Sequence, residues 1–184
     1  MKISKIVSGA LLVFMMAAGT TAIAQNKMVG GAEMYANKNI VENAMNSKDH
    51  TTLVAAVKAA GLVETLKGKG LFTVFAPTNA AFDKLPKGTV ETLLKAENKT
   101  MLQDVLKYHV VAGKMNAADI AKAIKDGKGK ATLTTVEGGT LTAMMKGKDL
   151  ILTDEKGGMS KVTIADVNQS NGVIHVVDTV LMHN

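Results

Sequence analysis

From Lys130 onward the apolar residues alternate with polar ones, whereas before that point they recur every three or four positions. The later segments "ATLTTV", "TLTAMM", "DLILT", "KVTIADV" and "GVIHVVDTVLMH" are separated by "EGG", "KGK", "DEKGG" and "NQSNG". Side chains alternate sides along a strand, so such segments joined by short glycine-bearing connectors predict a run of antiparallel hairpins. Upstream, Ile40, Val41, Ala44 and Met45 form one helical stripe. Leu53, Val54 and Val57, then Leu62, Val63 and Leu66, form further stripes, with Gly61 and Gly68 as stops. Helices first and strands mainly later predict an α+β domain whose helices gather against the sheet.

One strand is expected among the helices. In "GLFTVFAPT", Leu71, Phe72, Val74 and Phe75 leave only Thr73 polar, a pattern suited to a strand covered on both faces. Pro77 lacks an N–H and pushes Ala76 toward extended geometry, so the strand ends there. Thr78 or Asn79 can then cap a helix through a side-chain oxygen, with Ala80, Ala81 and Phe82 as its first turn. Thr89 is the expected cap of a helix bearing Val90, Leu93 and Leu94. Asn98 is the expected cap of another bearing Met101, Leu102, Val105 and Leu106. The latter runs into "KYHVVAGK", where Tyr108 to Val111 read as extended. An Asn116/Asp119 capping pattern opens a last helix with an Ile120/Ile124 stripe and Gly127 as its stop.

The N-terminus reads as an export signal. Lys2 and Lys5 precede an apolar stretch from Ile6 to Ala18, and Ala22-Ile23-Ala24 follows as a small-residue cleavage site. The expectation is a signal peptide over residues 1–24, a flexible lead-in over 25–37 and one folded domain over 38–184, with no transmembrane segment once the signal is cleaved. Zero cysteine excludes disulfides, zinc–thiolate sites and thiol nucleophiles together, and leaves no thioether for a lipid anchor.

The charge is unusual in kind rather than in size. All 22 basic residues are lysine, and aromatic residues make up only 3% of the chain. Bidentate recognition of guanine edges relies on the planar guanidinium, and single strands need stacking platforms. Sequence-specific nucleic-acid binding is therefore not expected. The lysines read as a solvated surface that favours anionic polymers.

Three segments carry a family resemblance. "TVFAPTNAAFDKLP", then "LKYHVVAGK", then "NGVIHVVDTVLM" resemble, in order and separation, the two homology boxes and the intervening Tyr-His motif of a fasciclin-like (FAS1) domain, of the single-domain secreted bacterial type. The likeness covers roughly Lys38 to His183. It implies a β-wedge of mainly antiparallel strands with a layer of short helices, in which the two boxes form neighbouring central strands. It also implies Thr73, Pro77, Thr78, Asn79, Phe82, His175 and Asp178 as structural motif residues. Tyr108 and His109 are implied as a candidate interaction motif, since in animal relatives that segment is implicated in integrin binding. The chain departs from the pattern at its end, where "VLMHN" lacks the proline many members carry.

The residue types allow other readings. His109 can instead cap or crosslink backbone inside the fold, which is the favoured reading. His175, between Val173 and Val177, is expected in the core as a neutral ring with a hydrogen-bond partner. Asp166, Ser170, His175 and Asp178 contain the residue types of a hydrolase triad, but no G-x-S-x-G elbow accompanies them, and no catalysis is expected. Met182-His183 and the other methionines read as gap-filling core residues rather than a copper site. The expected protein is a periplasmic or extracellular binding module, needing no cofactor, that engages a protein or polysaccharide partner in adhesion, matrix or surface contact. The alternative is a periplasmic carrier or enzyme for an envelope-derived ligand, which would require an apolar pocket near Tyr108, His109 or the Asn79 turn.

Overall fold

The computed structural model describes residues 26–68 and 70–183. The expected signal peptide and its cleavage site lie outside the described residues. The chain begins with β1 (Lys27–Val29) and β2 (Ala32–Met34), followed by helices α1 (Ile40–Ala44), α2 (Thr51–Ala60) and α3 (Val63–Lys67). Next come β3 (Phe72–Pro77), α4 (Asn79–Asp83), α5 (Thr89–Leu93), α6 (Lys99–Tyr108), β4 (Val110–Ala112) and α7 (Ala117–Asp126). The hairpin region supplies β5 (Ala131–Thr134), β6 (Thr140–Lys146), β7 (Asp149–Thr153), β8 (Met159–Gln169) and β9 (Gly172–Val177).

β3 to β9 form one sheet in the order β4-β3-β9-β8-β7-β6-β5. Every pairing in it is antiparallel except β3 with β9, which run parallel with Phe75 opposite His175. The two box segments are thus adjacent central strands. Their side chains alternate between two cores. Val74, Ala76, Ile174 and Val176 face the helical layer of α1 to α6, while Phe75 and Val177 face a second core with Ile120 and Ile124 of α7, Leu141 and Leu152. Coverage of both faces explains why β9 is buried at every position. β8 makes the bend between the two halves, with register shifts at Val162/Ile164 and Ile164/Val167 and Asp166 at φ 55° between them.

Several local expectations change. The lead-in is not structureless: β1 and β2 pair through Gly30 and Gly31, both at positive φ, and bury Val29 and Met34. Two such glycines make a hairpin turn from a segment too short to show a period. Leu71 is 55% exposed, so burial starts after it. Thr89 lies inside α5, whose cap position is Gly88 at φ 84°. Asn98 does hold the cap position of α6, but its amide donates to Thr92 O at 2.7 Å and makes no bond to the helix N–H groups. Tyr108 closes α6 rather than opening a strand, because the helical backbone continues to the cap residue His109. Met28, Met45, Met101, Met145 and Met159 are exposed, against the expected gap-filling role. Met101 lies on the solvent side of α6, and Met159 opens β8 at an exposed position.

Candidate interaction site

The Tyr-His pair stands at the end of α6, where the helix turns into β4 and both cores meet. Tyr108 is fully buried. Its hydroxyl donates to Thr140 O at 2.6 Å and accepts from Glu155 N at 3.2 Å, tying α6 to β6 and to the β7–β8 turn. Gly139 leaves room for the ring, since a Cβ there would come within 2.8 Å of Tyr108 Cε2. Burial, helped by the charges of Glu155, Asp154 and Glu137, pushes the phenol up to about 12 even though Glu155 N–H opposes the shift.

His109 is equally enclosed. Its Nδ1–H donates to Val105 O at 2.8 Å and its Nε2 accepts from Leu181 N at 3.0 Å. These two bonds require one neutral tautomer. Burial drives its pKa down to about 4, against the Val105 carbonyl and the Asp154 charge. The backbone joins in as well, for His109 O accepts from Phe75 N at 2.9 Å. α6, β3 and the C-terminal segment therefore converge on one residue. The pair expected to present an interaction motif offers no surface to a macromolecule, because both rings are spent on internal bonds.

The box residues are likewise occupied. Thr73 Oγ1 donates to Gly113 O at 2.7 Å and accepts from Met115 N at 2.9 Å. Pro77 is the last residue of β3, opposite Val177. Thr78 is the cap of α4, accepting from Ala81 N at 3.2 Å. Asn79 serves a different helix: its Oδ1 accepts from Thr52 N at 3.0 Å and from Thr51 Oγ1 at 3.2 Å, and its Nδ2 donates to Lys48 O at 2.9 Å. Phe82 is buried in the helical core.

His175 stacks on Phe75 with ring centroids 5.6 Å apart, its Nε2–H donating to Met115 O at 2.9 Å and its Nδ1 accepting from Asp166 N at 3.3 Å. Burial lowers its pKa, again favouring the neutral ring. Asp178 accepts from Lys161 N at 2.9 Å and Thr179 Oγ1 at 3.0 Å, with Lys84 Nζ 3.6 Å away. Burial alone would raise this carboxyl, but those donors and the Lys84 charge outweigh it and hold it low. The triad residue types do not converge: the Asp166 carboxylate accepts from Ala117 N at 2.6 Å, and Ser170 is held through its backbone by Lys38 O. Among the described residues no group of acidic and histidine side chains is arranged to hold a metal ion.

Some of the organising residues carry no motif signal. Asn171, in the turn before β9, is buried; its Oδ1 accepts from Ile40 N at 3.0 Å and its Nδ2 donates to Leu66 O at 2.6 Å and Gly68 O at 3.3 Å. Asn43 lies at 0% exposure, bonded to both backbone groups of Tyr35 and to Gln169 Oε1. As sequence, Asn171 is one more turn residue. Asn43 is a polar residue beside an apolar stripe.

The helical layer does not close completely over β3. A cavity of about 60 Å³ lies between α1, α2, α3, α6 and β3, walled by Leu53, Val57, Leu66, Phe72, Val74 and Val110 among others, and reaching His109. Lys58, Thr65 and Lys107 also contribute to its lining.

This fold and sequence have known relatives. The sequence model of the Fasciclin domain matches residues 48–183. The chain is 44% identical over 160 residues to Protein sll1483 of Synechocystis, covering 86% of this chain and 81% of that protein. It is 36% identical over 144 residues to the Immunogenic protein MPB70 of Mycobacterium bovis, and 35% identical over 158 residues to the Cell surface glycolipoprotein MPB83 of the same species. These matches cover 76% and 83% of this chain, and 66% and 64% of the relatives. Among solved structures, a FAS1 domain pair from the insect cell adhesion molecule Fasciclin I superimposes with a TM-score of 0.70 at 17% identity, over 79% of this chain and 51% of that one. With the box strands paired as the motifs require and the family model spanning them, the chain belongs to the fasciclin domain family.

Proposed function

We propose that this protein is an exported, non-catalytic fasciclin-like binding module that engages a protein or polysaccharide at the cell surface or in the extracellular matrix, in the manner of an adhesion domain. The observation that carries this reading is the match to a relative named as a cell-surface glycolipoprotein, together with a fold shared with a cell adhesion molecule. The polar groups of the box and Tyr-His residues support it, because they serve the framework and leave recognition to the exposed surface. In this reading Tyr108 and His109 position the α6–β4 corner and do not touch the partner. No helix among the described residues is long and apolar enough to cross a membrane.

Crosslinking of the protein on intact cells, with mass spectrometry of what is captured, tests the reading. A surface protein or glycan recovered reproducibly supports it. Deletion of the gene that leaves surface attachment and matrix composition unchanged counts against it. The export route has its own check, since the secreted protein should begin at Gln25.

A second reading, a carrier for an envelope-derived ligand, is favoured by one observation: the apolar cleft over β3 extends to His109.

A further inference from the structure

Methionine is distributed over this molecule unlike the other large apolar residues. Met28, Met45, Met101, Met145 and Met159 are between 42% and 61% exposed. Beyond these, only Tyr35, Leu71 and Val136 among the large apolar side chains described share that exposure, although leucine and valine are each more numerous than methionine. No isoleucine or phenylalanine among the described residues is exposed. Shape does not account for the difference, since leucine and methionine have similar volumes and replace each other at little cost. What methionine adds is a polarizable sulfur.

A soft metal ion needs several thioethers converging on one point, and a docking patch needs contiguous apolar surface. The five methionines stand on five separate elements: β1, the C-terminal cap of α1, α6, β6 and β8. Met145 and Met159 lie opposite Leu150 and Thr153, on either side of β7 and three residues apart along it, a separation of more than about 10 Å. Oxidation, by contrast, asks of each sulfur only that an oxidant can reach it.

The remaining methionines are sheltered to different degrees. Met34 is only 3% exposed, and Met115 and Met182 are partly buried against the two cores. A sulfoxide is polar, so it would disrupt a core but stays hydrated at a surface position. The chain has neither cysteine nor tryptophan, which leaves the thioethers as its only sulfur nucleophiles.

We propose that Met28, Met45, Met101, Met145 and Met159 form a sacrificial surface that consumes hypohalous acids as methionine sulfoxide while the fold stays intact. With hypochlorous acid, each sulfur gives up two electrons and gains the oxygen. The chlorine leaves as chloride and the proton passes to water. Methionine sulfoxide reductases can reverse the change. This role goes beyond partner binding and does not depend on it.

Graded addition of hypochlorous acid to the purified protein tests this, up to one equivalent per exposed methionine, with peptide mapping by mass spectrometry and a melting curve at each step. Sulfoxide should form at the five exposed positions at least about tenfold ahead of Met34, with an unchanged melting temperature. The fivefold variant Met28→Leu/Met45→Leu/Met101→Leu/Met145→Leu/Met159→Leu removes the sulfurs and keeps the volumes. Cells making only this variant should survive hypochlorous acid at least about threefold less well than cells making the natural chain, and grow equally without the oxidant. If added surface leucine prevents the variant from accumulating, glutamine at the same five positions replaces it and the same margin is expected. Sulfoxide at Met34 in step with the exposed five, or a melting temperature that falls as those five are oxidised, would overturn the proposal. So would equal survival of the two strains, or a margin that persists without oxidant.

Discussion

His109 accepts a hydrogen bond from the backbone N–H of Leu181, 72 residues further along the chain, while the other nitrogen of its ring donates to Val105 in its own helix. This single neutral ring fastens the end of α6 to the segment that follows β9. Leu181 is itself fully buried, so that segment needs no strand pairing to be fixed.

Acid should loosen the fold through this ring. The folded pKa of His109 is about 4, below the ordinary value of 6.5, so the unfolded chain takes up a proton first as pH falls. Stability present above about pH 6.5 is then lost progressively between there and about pH 4, by up to about 3 kcal/mol for this residue. His175 is shifted in the same direction by burial. Urea denaturation from pH 7.5 to 4.5 should show falling midpoints, and a shallower fall in His109→Gln. A flat profile would contradict the buried neutral ring.

Removing the Tyr108 hydroxyl is the next test. Tyr108→Phe leaves Thr140 O and Glu155 N without their partner. Chemical denaturation should report a loss of about 1–3 kcal/mol. Binding to the surface partner by the folded variant should be unchanged, because the ring lies inside.

His175→Leu keeps the volume but orphans Met115 O and Asp166 N and removes the stack on Phe75. A melting curve lowered by the equivalent of about 2–4 kcal/mol is expected. An unchanged curve would show that the ring is dispensable to the core.

Gly172 occupies φ 156°, and a Cβ there would lie 2.0 Å from Phe72 O, a backbone atom of the neighbouring parallel strand. No side-chain movement relieves that clash. Gly172→Ala should cost more than about 3 kcal/mol or abolish soluble expression, since β3 and β9 would have to separate. Gly138→Ala, in open space at the β5–β6 turn, is the control and should cost far less despite its positive φ.

The cap residues should separate by reach. Thr78→Ala removes one bond at the start of a short helix, worth about 1 kcal/mol. Asn79→Ala breaks bonds to Lys48, Thr51 and Thr52, which hold α2 against α4, and should cost about twice as much. Equal midpoints in urea for the two variants would contradict the assignment of Asn79 to α2.

The sequence by itself determined the family and the order of elements from α1 onward. Alternation after Lys130, helical stripes before it and the proline stop at Pro77 are local effects of side-chain period and backbone freedom, and they survive in the structure as β5 to β9, α1 to α7 and the end of β3. The Gly30-Gly31 hairpin escaped because a three-residue strand has no period to detect. Tertiary structure alone decided what the polar residues do. Nothing adjacent in sequence says that Asn79 caps a helix beginning at Thr51, that Asn171 holds Ile40 and Leu66, or that His109 reaches Leu181. Nor could periodicity reveal the cleft over β3, since a void records where packed helices fail to meet. The physical reason is the same throughout. Hydrophobic period is set by neighbours a few residues away, whereas a buried donor or acceptor takes whichever partner the completed fold brings within about 3 Å.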